Sequence, residues 1–533
     1  MFQLSESLNS EVQNHEMQNS QVPSNEVPSN MNMYDAKVKE NFHVYGIASL
    51  IYAVIYTLCM YRNSSGISHL FFVASTIVYI CFCMGKLEIQ RKKDSIFYFV
   101  SMLLLSVSTF ITDDGRIIFF NKLGIFLLSV SMLLSVLYDT QRWNLGKYLG
   151  SILKVCFMAL VELGRPFVDA AWYCKNKLDK KNSKYLYVLL GFVITIPLFL
   201  IVFSLLSSAD AVFRDLAAQL TRNWSGADIF LIILMTGMMF IGSYCFLTYL
   251  CKQTIQEEVK DSRKWEPLVG IPVASILTIL YLVFSVIQIV YLFMGNMQLP
   301  AGYTYAEYAR EGFFQLLAVS IMNLVLVLIG LYFFKPSKVL KGILTVMSLC
   351  TFIMIASSAM RMIIYIQYYY LTFLRILVLW TLALLALIFA GVIIYVLKED
   401  FPLFRYSMVV VTCLYIGLSF SHPDYWIAKV NLAGTQDNRS EFFQGEAYED
   451  YYFLSGLNAD AAPIMVPWIA EQGYELEYYY QEFDIDDLHT KDYYAYRYLN
   501  HLRYRVGEVG VWNFNLSRFL AETEVTMGIT KGM

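Results

Sequence analysis

From about residue 43 to residue 421 the chain alternates long apolar runs with short polar segments. A bilayer core of about 30 Å needs roughly 20 apolar residues in a helix, so each long run predicts a membrane span. The runs lie near 43–61, 69–85, 95–111, 118–138, 185–207, 228–250, 268–295, 312–334, 340–360, 376–397 and 406–421, about eleven spans in all. A further apolar stretch at 148–161 is short and interrupted by Lys154, a pattern that predicts an interfacial amphipathic helix. The expected fold class is all-α: a polytopic transmembrane helical bundle with a small C-terminal extracytoplasmic helical domain.

Composition agrees with that pattern. Hydrophobic residues make up 57% of the 533 positions and charged residues 16%, against roughly 45–50% and 25% in ordinary globular chains. The net charge of −3 says little, but the placement of cations says more. Alternate connecting segments (86–94, 139–184, 251–267, 335–341, 398–405) hold 22 Lys/Arg, and the opposite set (62–68, 112–117, 208–227, 296–311, 361–375) holds 7. Cations collect on the cytosolic side, so the N-terminus is expected inside and the C-terminus outside. None of the nine cysteines lies beyond residue 413, which leaves no external disulfide framework.

The expected organisation is a disordered cytosolic tail (1–41), a four-span N-terminal bundle (42–138), a basic cytosolic segment with the interfacial helix (139–184), a seven-span core (185–421) and an acidic, Tyr-rich extracytoplasmic helical domain (422–533). The last region carries 18 Asp/Glu against 8 Lys/Arg. Its helix signals are Asn458 as a cap with Gly473 as the stop, Asp484 or Asp486 as a cap for the run to Arg505, and Asn515 as the cap of a last helix from Leu516. Tyr494, Tyr498 and Leu502 repeat every fourth residue, an apolar stripe whose default place is the core.

Familiar catalytic motifs are missing: there is no GxxxxGK[ST], no HExxH, no GxSxG and no Cys/His pairing at metal spacing. No cofactor, metal or nucleic-acid partner is expected. Span interiors carry no Asp or Glu, and the amides Gln288, Gln315 and Asn323 form a candidate intramembrane polar path, although such amides more often join helices. Candidate ligand or partner contacts lie in the external segments. Asp210 sits in 207–213 (SSADAVF), in the first turn of a helix capped by Ser207 or Ser208. Glu307 and Arg310 sit in 299–314, behind a Thr304/Glu307 capping box. Arg361 and Arg375 flank an aromatic belt, and Asp460 follows the Asn458 cap.

Several stretches taken together, SSADAVF at 207–213, YLFMG at 291–295, LPAGYTYAEYAREGFFQL at 299–316, SSAMRMIIYIQYYYLTFLR at 357–375, HPDYWIAKVNL at 422–432, YYFLSGLNADAAP at 451–463 and WNFNLSR at 512–518, resemble a bacterial integral-membrane family catalogued as domain of unknown function 4173. The resemblance implies a bacterial cell envelope and supplies no reaction. The expected function is a non-enzymatic envelope sensor or scaffold acting through the external domain, with the lipid bilayer and an envelope or signalling protein as partners. A permease or lipid transporter without carboxylate coupling is the alternative. A lipid- or glycan-directed enzyme using Asp210, Glu307 or Asp460 is the third reading.

Overall fold

The computed structural model describes residues 31–63, 65–90, 92–140, 143–177, 191, 195, 198–199, 202–203, 205–210, 213, 226–252, 255, 263–290, 312–398, 400–436, 447–473, 476, 490–507 and 510–532. These residues are helical throughout, apart from turns and one isolated parallel bridge between Trp265 and Phe334. In chain order the α-helices are α1 (Met31–Glu40), α2 (Phe42–Met60), α3 (Ile67–Lys86), α4 (Ser95–Ile111), α5 (Gly115–Leu137), α6 (Leu145–Val161), α7 (Arg165–Asn176), α8 (Gly226–Cys251), α9 (Pro267–Gln288), α10 (Phe313–Phe333), α11 (Lys338–Tyr369), α12 (Phe373–Leu397), α13 (Leu403–Ser419), α14 (Pro423–Gln436), α15 (Ala447–Leu454), α16 (Ala462–Glu471), α17 (Thr490–Val506) and α18 (Leu516–Gly532).

Among the described residues, eight helices are long and apolar enough to cross a membrane: α2, α3, α5, α8, α9, α10, α11 and α12. The count becomes nine if α13 and α14, bent by 56° at their junction, form one span. The expected run at 95–111 is the shorter apolar helix α4, of 17 residues. Most of 185–207 lies outside the described residues. The run expected to end at 360 continues as α11 to Tyr369. At 1.5 Å per residue its 32 residues reach about 48 Å, longer than a bilayer core. Arg375 ends it by donating to the carbonyls of Tyr369 and Tyr370.

Two compact units divide the chain. The first comprises 1–57, 79–90 and 153–256. Its core includes Val38, Tyr45, Cys83, Leu87, Tyr244 and Cys251, and Arg165 joins Asp35 (2.6 Å) to Asp169 (3.1 Å) within it. The second comprises 58–78, 91–152 and 257–533. One of its cores runs along α9 to α12, through Leu344, Met354, Leu382 and Phe389. Another joins α14, α16, α17 and α18 through Ile427, Val466, Ile469, Tyr498, Leu502 and Val525, with Phe373 and Ile376 of α12 packed against it.

Local signals place the C-terminal helices. Asn458 accepts the Asp460 N–H (2.9 Å) and caps a 3-10 turn that leads into α16, and Gly473 follows with φ +81°. Asn515 accepts the Arg518 N–H (3.2 Å) at the start of α18. Asp484 and Asp486 lie outside the described residues. The interhelical bonds inside the second unit are polar and specific. Asn121 of α5 donates to Ser108 and Thr109 of α4 and accepts from Tyr415 (2.9 Å) and Ser419 (2.7 Å) of α13.

Candidate functional site

The densest polar cluster among the described residues surrounds the turn between α4 and α5. Helix α4 stops at Thr112, whose backbone is extended (φ −113°, ψ 150°). Asp114, also extended, starts α5 by accepting the Arg116 N–H at 2.9 Å. A carboxylate at a helix N-terminus satisfies an otherwise orphan amide and meets the positive end of the helix dipole. The extended backbone between those two caps leaves the Asp113 N–H free to donate to Asp460 Oδ1 (2.8 Å). Thr112 Oγ1 donates to Asp460 Oδ2 (2.5 Å).

Asp460 is 5% exposed, and each of its oxygens has two partners. Oδ1 accepts from Asp113 N–H and from Ser517 Oγ (2.5 Å), and Oδ2 accepts from Thr112 and faces His422 Nδ1 at 3.3 Å. Burial pushes this carboxyl group's pKa up. The hydrogen bonds from His422, Ser517, Thr112 and Asp113 together outweigh that, and hold it below the usual carboxylate value. His422 stands at the bend between α13 and α14 with φ +47°, a left-handed conformation that side chains with a β-carbon disfavour.

Asp113, 1% exposed, is gripped from two helices. Arg518 Nε of α18 reaches Oδ1 at 2.7 Å, and Arg505 Nη1 of α17 reaches Oδ2 at 2.9 Å and the main-chain carbonyl at 3.2 Å. Arg116 binds Asp114 through Nε (2.9 Å) and Nη2 (2.6 Å), and the same Nη2 reaches Asp424 of α14 at 2.6 Å. Its guanidinium lies 3.9 Å from the Phe373 ring centroid, a cation–π contact. Asp424 Oδ2 in turn accepts the Asn458 N–H (3.2 Å). Asn515 Nδ2 closes the cluster on the Thr112 carbonyl at 2.8 Å.

The cluster therefore sets four acidic side chains (Asp113, Asp114, Asp424, Asp460) against three guanidiniums (Arg116, Arg505, Arg518), with His422, whose pKa the hydrogen bond to Asp460 raises, beside them. Each of the four carboxylates is held by at least one arginine or histidine side chain. Among the described residues no group of three or more His, Cys, Asp or Glu side chains is placed to hold a metal ion. What the arrangement does chemically is clamp. Buried ion pairs add little net stability against apolar packing but penalise any geometry that separates them.

Of the candidate contact residues read from the sequence, Asp460 is in this cluster, together with the predicted caps Asn458 and Asn515, and the other described ones (Asp210, Arg361, Arg375, Gln288, Gln315, Asn323) are not part of it. Asp210 belongs to the first unit, is exposed, and caps its own turn by accepting the Phe213 N–H (2.7 Å), while Ser208 donates back to the Leu205 carbonyl. Glu307 and Arg310 lie outside the described residues. Arg361 is buried on α11 beside Gly312, where a β-carbon would stand 2.2 Å from its Nη1. Arg375 caps α11 and stacks 4.5 Å from the Tyr365 ring centroid. Gln288 accepts from Ser357 (2.6 Å), Asn323 donates to Thr351 (3.1 Å), and Gln315 is exposed.

Sequence reasoning missed Asp113, Asp114, Arg116, His422, Asp424, Arg505, Ser517 and Arg518. One signal was available: two adjacent acids and a glycine directly before an apolar run mark a helix start that carries more charge than capping needs.

A family model described as "Domain of unknown function (DUF4153)" matches residues 99–467. That match overturns the resemblance to domain of unknown function 4173. The stretches behind that resemblance are rich in aromatic and small residues near span ends, a composition that membrane interfaces impose on many polytopic proteins. No curated protein matches the chain. No solved structure matches it either.

Proposed function

The chain belongs to this DUF4153 family and carries several helices of membrane-spanning length, and on that premise we propose that it is a non-enzymatic membrane sensor or scaffold, with about eleven spans, a cytosolic N-terminus and residues 422–533 outside. The observation that carries this reading is the buried clamp. Asp113, in the turn between α4 and α5, is fixed to α17 and α18, and Asp424 and Asp460 are tied to the same turn. A load applied to the C-terminal helices reaches membrane helices through ion pairs rather than through a pliable linker. Tyr504 (70% exposed) and Trp512 (59% exposed) give that region aromatic surface for a protein partner.

The test is mild cross-linking in native membranes, purification, and mass spectrometry of wild type and of a Tyr504→Arg/Trp512→Arg variant. A near-stoichiometric protein partner that the variant loses supports the proposal. A protein that comes out alone, holding the same solute or lipid in both forms, overturns it.

A permease reading has one specific support. The buried face of α9 is Thr278, Tyr281, Ser285 and Gln288, a polar stripe on an otherwise apolar helix. Thr278 Oγ1, Ser285 Oγ and Asn323 Oδ1 lack hydrogen-bond partners among the described residues. Unsatisfied polar atoms at membrane depth are costly and suit a path for a polar solute. Purification with one enriched solute that Thr278→Val/Ser285→Ala abolishes would favour transport.

A further inference from the structure

Helices α13 and α14 meet at an angle of 56°, and the turn falls at His422, whose φ of +47° is a left-handed conformation. Such strain persists only where the surroundings over-determine it. They do so on both sides of the bend. Tyr415 and Ser419 of α13 are bonded to Asn121 of α5, while Asp424 of α14 takes Arg116 (2.6 Å) and the Asn458 N–H (3.2 Å). The His422 carbonyl starts α14 by accepting the N–H groups of Tyr425 (3.1 Å) and Trp426 (3.4 Å).

The His422 imidazole joins this bend to the clamp, with Nδ1 at 3.3 Å from Asp460 Oδ2. The two side chains differ in access. That of Asp460 is fully shielded, whereas 32% of the His422 side chain is exposed, so solvent protons reach the imidazole directly. Asp460 is the charge that bears on it. Other charged and titratable groups of the elements packed around it are engaged elsewhere: Asp113 with Arg505 and Arg518, Asp424 with Arg116, Tyr498 with the Asn458 carbonyl, Lys429 over the Tyr425 and Trp426 rings, and Arg375 with the Tyr369 and Tyr370 carbonyls. Glu471, at the far end of α16, is exposed.

We propose that His422 is a proton-operated catch on the bend between α13 and α14, which supplies the stimulus for the sensor reading on which this inference rests. Protonated, the imidazolium locks onto the Asp460 carboxylate and holds the bend. Neutral, it offers only an uncharged donor, the weaker kind of bond, and the bend relaxes toward the extended backbone that a β-carbon prefers. Helix α14 then loosens from the turn between α4 and α5. The hydrogen bond to Asp460 raises the imidazole's pKa, against the effect of burial. The catch is therefore fully engaged below the unfolded value of about 6.5 and lost as pH rises through the higher folded value. The signal is a rise in pH.

Hydrogen exchange of the full-length protein in nanodiscs, corrected for intrinsic rates and read by mass spectrometry at about pH 5.5 and about pH 9, brackets that titration. In wild type the Tyr425 and Trp426 amides are expected to exchange several-fold faster at the higher pH. His422→Asn keeps a residue that tolerates left-handed backbone but cannot titrate, and should show one pH-independent rate. Histidine-selective NMR, assigned by difference against that variant among the six histidines, should place the His422 midpoint above about 6.5, and Asp460→Asn should lower it. Equal exchange at both pH values in wild type, a pH dependence that His422→Asn retains, or a midpoint at or below the ordinary value overturns the catch. The wild-type comparison stands even where a variant misfolds. Neither readout needs a partner: a pH-responsive bend in a protein that purifies alone supports the catch while the sensor reading falls, and a flat profile in a protein that keeps its partner does the reverse.

Discussion

Arg518 Nε stands 2.7 Å from Asp113 Oδ1 across 405 positions of sequence, joining the last helix to the turn that opens α5. Arg505 holds the other oxygen of the same carboxylate at 2.9 Å. Asp113→Asn would leave two guanidiniums facing a neutral amide. Losing one partner of a buried pair costs about 3–5 kcal/mol. The arginine side chains are 21% and 32% exposed, so water offsets part of that and about 2–3 kcal/mol is expected. Thermal unfolding in detergent checks it. Arg518→Met should cost less, because Arg505 keeps its bond.

The pH response follows from Asp460. Its carboxyl group titrates below its unfolded value of about 3.9, so its contribution is fully present above that value and disappears as pH falls through the lower folded value. The groups facing it are His422, Thr112, Ser517 and the Asp113 N–H. Wild-type unfolding temperature should therefore drop steeply below about pH 4. Asp460→Asn should be less stable at pH 7 and show a shallower acid drop. A parallel acid profile in the variant would remove Asp460 from this role.

Asn121 ties three helices with four side-chain hydrogen bonds, to Ser108, Thr109, Tyr415 and Ser419. Interhelical bonds in membranes average about 0.6 kcal/mol, so Asn121→Leu should lose about 1–2 kcal/mol. Denaturant titration in mixed micelles measures this, and pairing the change with Tyr415→Phe should give less than the sum of the two single losses.

Gly312 is set by a close approach. A β-carbon there would meet Arg361 Nη1 at 2.2 Å. The atoms met are the end of a long side chain that can swing aside, so Gly312→Ala should destabilise by about 1 kcal/mol, the low end of the cost of overpacking. Arg361→Met in the same chain should restore part of that loss, because the shorter side chain vacates the space. A double-mutant cycle with no coupling would refute the contact.

Gly66 illustrates the same limit in a turn. Its φ is +124°, and a β-carbon would lie 2.9 Å from the Phe514 carbonyl that Ile67 N–H also uses. Gly66→Ala is expected to cost more than about 1 kcal/mol by the backbone term alone, read as a lower unfolding temperature.

Local physics made several elements legible in the sequence. Apolar runs of bilayer length could bury their backbone amides only as helices, which is why α2, α5, α10 and α12 stand where the pattern puts them. Asn458 and Asn515 cap helices because their side chains reach an amide two or three residues on, a relation contained within a few positions. The four-residue spacing of Tyr498 and Leu502 likewise put both in a core. The clamp is a different kind of object. Asp113, Asp424, Asp460, Arg505 and Arg518 are scattered over some four hundred positions, and nothing local in the sequence joins them. Only the packing of α14, α17 and α18 around one short turn brings them together, burying the three carboxylates against two partly exposed guanidiniums in a network whose members cannot part cheaply.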